Sequence, residues 1–211
     1  MVKVTKRPKN NSGMVHTIRD KKRKPDKHSK NLNERMTDAS RKQQNVFTRG
    51  RKKIHILFDG QGIKRAVIRM INKKETCFVV GCIAWLSNKD ILKAMSKKRG
   101  GCIICTKDKL TKGLRNQRAY KEIKPAYPGG VIRVVGDGRG WHKSLMHHKF
   151  LVGLDINGKP IWVTNGSFNF TQNATTNLEN LMVMEDEDVA ECYFQEFKRV
   201  HALSSPLKLK V

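Results

Sequence analysis

From residue 54 onward, apolar residues fall into short runs separated by polar or glycine-containing breaks, and the period of each run predicts an element. Ile54–Phe58 (IHILF) is a strand ending at Asp59-Gly60. Gly62–Asn72 places Ile63, Ala66, Val67, Met70 and Ile71 at helical spacing. Cys77–Leu86 is almost continuously apolar, as expected of a strand buried on both faces near the middle of a sheet. Ser87 as N-cap and Asp90 at the capping-box position open a helix carrying Ile91, Leu92 and Met95, which Gly100-Gly101 ends. Cys102–Thr106 is a further buried strand and Val131–Val135 a short one.

In the second half, Met146–Leu154 and Ile161–Thr164 flank Asn157-Gly158, a dipeptide suited to a tight hairpin. Asn177–Met184 is a strand. Glu185–Leu203 is a closing helix with Val189, Cys192, Tyr193, Phe197 and Val200 facing inward, its acidic start suited to the positive end of the helix dipole. Alternating strands and helices predict an α/β domain over residues 54–206: a central mixed sheet flanked by helices on both faces, with 207–211 as a tail.

Residues 1–53 lack this patterning. They hold 18 Lys/Arg against 4 Asp/Glu, and a thinly apolar segment of this kind cannot offset its ordering entropy, so a basic flexible arm is expected. Asn33–Phe47 carries one weak helical pattern, on Leu32, Met36, Ala39 and Val46. The remainder is also basic, 26 Lys/Arg against 14 Asp/Glu, within a formal net charge of +26. Charge on both parts points to a polyanionic partner, with nucleic acid first. Lys109, Lys112, Arg115, Arg118, Lys121 and Lys124 recur every third residue. At about 100° per residue that spacing would wrap a helix rather than stripe it. Lys107–Lys124 is therefore expected as a partly irregular basic lip beside a site.

The five cysteines are odd in number and mostly within apolar runs, which suits reduced, buried thiols; Cys102 and Cys105 are expected to pack rather than bind metal. No segment is apolar enough over about 18–20 residues to span a membrane, and no apolar run follows the basic start as in a secretory signal. A cytoplasmic protein without integral membrane association is expected. Lys21–Pro25 would serve as a nuclear signal in a eukaryotic host.

The chemistry concentrates between Leu145 and Thr171. Strand alternation puts His147 and Lys149 on one face and His148 and Phe150 on the other. GSFNFT then offers Ser167 and Asn169, again two residues apart. An imidazole able to act as a nucleophile, a fixed positive charge and two neutral polar groups form a phosphate-handling set. The loop Gly136–Gly140 stands just upstream, so Arg139 and His142 are substrate-contact candidates beside Lys109, Lys112, Arg115 and Arg118.

His-x-Lys followed by an Asp and then Gly-Ser-x-Asn resembles the signature of the phospholipase D superfamily, and MHHKFLV with GSFNFT is similar to its single-motif, nuclease-like members. Five residues, Phe150–Leu154, separate Lys149 from Asp155 where the family usually has four. The resemblance implies a phospholipase D-like fold and attack by histidine on phosphorus, without metal or other cofactor. It implies that Lys149 and Asn169 hold non-bridging oxygens and that Ser167 positions phosphate or imidazole. Glu179, matching an acidic family position, would accept a His147 ring N–H; Asp155 is a further candidate. In-line displacement needs a second acid opposite the nucleophile, yet the complete motif occurs once, because His28-Ser29-Lys30 has no Gly-Ser-x-Asn after it. Two chains would then share one active site as a homodimer. The expected function is a metal-independent endonuclease acting on DNA, with RNA as a further substrate. The alternatives are a hydrolase of anionic phospholipid and a non-catalytic nucleic-acid-binding module.

Overall fold

The computed structural model describes residues 30–31, 45–49, 52–109, 111–136 and 145–210. Residues 33–44 of the weak helical pattern lie outside them, and so do Arg139 and His142. Among the described residues the elements run β1 (Asn45–Arg49), β2 (Lys52–Leu57), α1 (Gly60–Asn72), β3 (Phe78–Ile83), α2 (Lys89–Ser96), β4 (Gly100–Thr106), α3 (Leu114–Lys121), β5 (Ile132–Val135), β6 (Lys149–Leu154), β7 (Pro160–Gly166), a 3₁₀ turn (Asn173–Thr176), β8 (Leu181–Glu185), α4 (Glu187–Leu203) and β9 (Ser205–Pro206).

The strands form one mixed sheet in the order β1-β2-β8-β7-β6-β3-β4-β5-β9. β3, β4 and β5 are parallel, joined by crossovers through α2 and α3, whereas β6, β7 and β8 form an antiparallel meander against β3. The sheet is buried on both faces, as the unbroken apolar β3 and β4 require. One core gathers Ile63, Val67, Met70 and Ile71 of α1 with Ile91 and Met95 of α2 and Tyr120 of α3. The other packs Phe194, Phe197 and Val200 of α4 on Val80, Ile104, Val152 and Val163. This is the α/β sandwich the sequence predicts.

Four expectations change in detail. Asn88, not Ser87, caps α2, its side chain accepting from the amides of Asp90 and Ile91. Gly100 and Gly101 begin β4 instead of ending a helix; a Cβ on Gly100 would stand 3.0 Å from Ala126 Cα. Residues 45–47 are strand rather than helix, and β1, inside the segment expected as an arm, pairs with β2. The tail docks: Leu207 N donates to Ile132 O at 2.9 Å, and Leu207 and Leu209 pack on the first core.

Lys107–Lys124 contains a helix, α3, which the apolar pattern does not reveal because its inner face is not conventionally apolar. Tyr120 is buried with its hydroxyl donating to Leu86 O at 2.6 Å, and Gln117 Nε2 donates to Lys112 O at 2.6 Å. Arg115, Arg118 and Lys121 take the outer face. Cys102 and Cys105 fall in opposite cores, since three residues along a strand reverse the face. Burial pushes the Cys102 thiol up to about 12 and the Cys105 thiol higher still, as suits packing groups.

Candidate active site

The carboxyl ends of β3 and β4, the start of β6 and the end of β7 meet at one edge of the sheet, the place where α/β folds leave a crevice. His147 lies just before β6 on a segment held by each of its carbonyls. Met146 O accepts from Thr106 Oγ1 at 2.6 Å, His147 O from Lys149 Nζ at 2.7 Å, and His148 O from the amide of Ala84 at 2.9 Å. The expected alternation holds. Lys149 is on the face of Leu151, whereas His148 turns to the other face, tilted against Phe150 and 3.2 Å from Glu196.

His147 is exposed and Lys149 buried, at 6% of its free surface. The imidazole is held below its ordinary pKa, by desolvation first and then by the positive charge of Lys149 and by His148. The Lys149 ammonium is lowered by burial, against which the Glu179 carboxylate pulls it up. The arrangement favours a neutral imidazole beside a cation.

The GSFNFT segment obeys the same period of two. Phe168 and Phe170 are fully buried in the first core, which turns Ser167 and Asn169 the other way. Ser167 is fixed by a reciprocal pair with Asn180: its amide donates to Asn180 O at 3.1 Å and its hydroxyl accepts from Asn180 N at 3.0 Å. The Ser167 hydroxyl also donates to Glu179 in a short hydrogen bond. Asn177 Nδ2 donates to the other Glu179 oxygen at 3.4 Å. In this structure Glu179 thus binds Ser167 and Asn177, not the His147 ring expected from the sequence. Asn169 Oδ1 is buried without a hydrogen-bond partner, a costly state for a polar atom.

Asp155 does not belong to this cluster. It stands at the opposite end of β6 from Lys149, about 20 Å away at the rise of a strand. There its Oδ1 accepts from the amides of Asn157 and Lys159 at 2.9 and 2.8 Å and shapes the β6–β7 turn, in which Gly158 takes φ +79°. Between Gly153 and Leu154 the pairing with β7 shifts by one residue, from Trp162 to Pro160, leaving Ile161 unpaired.

Two residues missed in the sequence complete the surroundings of His147. Trp85, just past β3, sets its ring edge-on to the imidazole at 5.8 Å between centroids, and its indole N–H donates to Asp108, just past β4. Asp108 is itself tied into the following turn by the amide of Thr111 at 2.9 Å. Trp85, Asp108 and Asn169 line one small cavity of about 440 Å³. Ser87 and Gln172 join it to a larger groove of about 1160 Å³ between α2 and α3. Lys109, Arg115 and Arg118 line that groove; Lys112 is exposed on the turn before α3 and is not part of its lining. Among the described residues no three His, Cys, Asp or Glu side chains converge as metal ligands would.

This fold, with a histidine and lysine at the head of one strand and a Gly-Ser-x-Asn segment after the next, defines a phospholipase D-type domain. The chain belongs to the family described as cardiolipin synthase, PLD-like domain, whose model matches residues 67–201. Its fold is similar to that of NucT from Helicobacter pylori, with a TM-score of 0.59 at 16% identity, covering 74% of this chain and 99% of that one. It is similar also to Nuc, a phospholipase D family member from Salmonella typhimurium, with a TM-score of 0.54 at 20% identity and the same coverages. In sequence it is 25% identical over 187 residues to an uncharacterized protein, L381, of Acanthamoeba polyphaga mimivirus. That match covers 71% of this chain, which spans 66% of the length of that relative.

Proposed function

We propose that the protein is a metal-independent endonuclease that cleaves phosphodiester bonds of DNA, and of RNA, through a phosphohistidine formed in a site shared by two chains. The observation that carries this reading is the exposed imidazole of His147, kept in its neutral form, whose own carbonyl is bonded by the buried ammonium of Lys149.

A ring nitrogen of neutral His147 attacks phosphorus, forming a P–N bond as the P–O bond to the leaving group breaks. His147 of the partner subunit, protonated, gives its proton to the departing oxygen. Now neutral, that imidazole takes a proton from water; the water oxygen attacks phosphorus, the P–N bond breaks and both histidines return to their starting states. Lys149 and Asn169 stabilise the charge that builds on the non-bridging oxygens. Ser167, oriented by Glu179, fixes the phosphate in line. Support for pairing comes from exposed apolar side chains. Leu145, two residues before His147, Leu178, next to Glu179, and Phe58, just after β2, are 42%, 55% and 43% exposed, apolar side chains suited to burial against a second copy.

The family's description names a phospholipid enzyme, and this keeps a second reading, hydrolysis of anionic phospholipid. The net charge of +26 and the cations that continue from the site along the α2–α3 groove favour an extended polyanion. The deciding experiment offers plasmid, single-stranded oligonucleotide and cardiolipin vesicles to the full chain, with and without excess EDTA. Nucleic acid cut equally well in chelator is the expected result. Strict dependence on added Mg²⁺ refutes the metal-free chemistry, and turnover of vesicles alone refutes the nuclease reading.

A further inference from the structure

The groove between α2 and α3 is tied to the active site by covalent neighbours and by hydrogen bonds. The amides of Ser87 and Asn88, at the entrance to α2, both donate to Phe170 O at 2.8 Å, and Asn88 Nδ2 donates to Gln172 Oε1 at 3.2 Å. The α3 wall is fixed by the buried Tyr120 hydroxyl on Leu86 O at 2.6 Å. Both walls are therefore anchored to the strand end and the loop that carry Trp85 and Asn169.

The groove is lined by cations from both sides: Lys89 and Lys93 from α2, Lys109 from the turn after β4, and Arg115 and Arg118 from α3. None of the five makes an ion pair with a described residue. Of the two acids among the described lining residues, Asp90 is occupied by Lys64 at 3.1 Å, which leaves Glu122 against five described cations. Among the described residues the lining holds no aromatic ring, so they offer the groove charge and hydrogen-bond donors without a stacking platform.

We infer that this groove carries the phosphate backbone of the nucleic-acid strand that leads away from the scissile phosphate, gripping it by charge and not by its bases. The inference rests on the nuclease reading and adds Lys89 and Lys93, which the spacing of basic residues in the sequence does not reveal, to the strand's path. Two facing walls of cations suit one strand between them, with affinity from counterion release and no base readout.

The test measures binding of a 20-nucleotide single strand to full-length His147→Ala protein across a salt series, while wild-type cleavage of the same strand is followed separately. Each phosphate contact contributes about 0.7 to the slope of log K against log salt, so adding Lys89→Ala and Lys93→Ala should lower the slope by about 1.4. The loss should be equal for strands of different sequence. A charge-matched control, Lys53→Ala with Lys74→Ala, removes two exposed lysines outside the groove lining. An unchanged slope in the groove variant, an equal fall in the control, or no measurable binding overturns the inference. Absence of wild-type cleavage with the groove effect intact overturns the nuclease reading instead.

Discussion

Lys149 donates its ammonium to the backbone carbonyl of His147, the residue two before it, at 2.7 Å. The bond joins the two titratable members of the motif through the main chain. It fixes the path of the chain beneath the imidazole and places a buried positive charge that disfavours the imidazolium form.

Replacing Lys149 with Met removes the like charge, so the His147 pKa should rise toward the ordinary histidine value. The sign follows because Lys149 acts to lower it. Proton-detected titration of the His147 ring checks this directly. Cleavage should fall by about a hundredfold to a thousandfold, the usual cost of removing one group that stabilises transition-state charge. A pKa that stays put or falls would show that the two groups do not communicate.

Trp85 positions His147 without touching substrate in this account. Trp85→Leu removes the ring edge that packs on the imidazole and part of its desolvation, which is the largest cause of its lowered pKa. The expected result is a kcat lowered about tenfold, with KM little changed and both limbs of the pH profile moved upward. Asp108→Asn should reproduce a weaker form of the effect, because Asp108 accepts the indole N–H. A loss of stability with an unmoved pH profile would mean that Trp85 only packs.

How far the sequence revealed this site depends on how local each relationship is. His147 with Lys149, and Ser167 with Asn169, are two apart on extended segments, and period-two alternation places each pair on one face. Phe168 and Phe170 anchor the second segment, and their spacing was visible. Trp85 and Asp108 come from the ends of two different strands, brought together only by the parallel pairing of β3 with β4. Their one signal was position, since each follows an apolar run in an α/β pattern. α3 escaped because a buried Gln and Tyr, not a run of aliphatic residues, make its inner face. β1 escaped because an edge strand of NVFTR in a lysine-rich segment presents little apolar pattern.

Pairing of β1 with β2 sets where the basic arm can be cut. Removing residues 1–50 would also remove an edge strand, since Asn45–Arg49 belong to the sheet. Removing 1–44 keeps that strand and should weaken nucleic-acid binding and flatten its salt dependence. An unaltered salt slope after this cut would mean that the arm makes no phosphate contacts.

One structural prediction lies away from the chemistry. The Trp162 ring covers Gly153 so closely that a Cβ there would stand 2.1 Å from its Cε2, while Trp162 Nε1 donates to Thr76 Oγ1 at 2.8 Å. Gly153→Ala must displace a fully buried indole and strain that bond. A loss of about 1–3 kcal/mol in denaturant unfolding is expected. No loss would show that the β6–β7 pair can shift to admit a methyl group.

The central claim is that His147 becomes covalently bonded to phosphorus, and the most direct measurement is to trap that bond. Substrate labelled at the scissile phosphate is mixed with the full chain, quenched in base during turnover, and the protein digested and mapped. The account predicts label on the peptide carrying His147, stable to alkali and released by acid, and none in His147→Ala. Robust cleavage with no such adduct, or with the label on another residue, would contradict it.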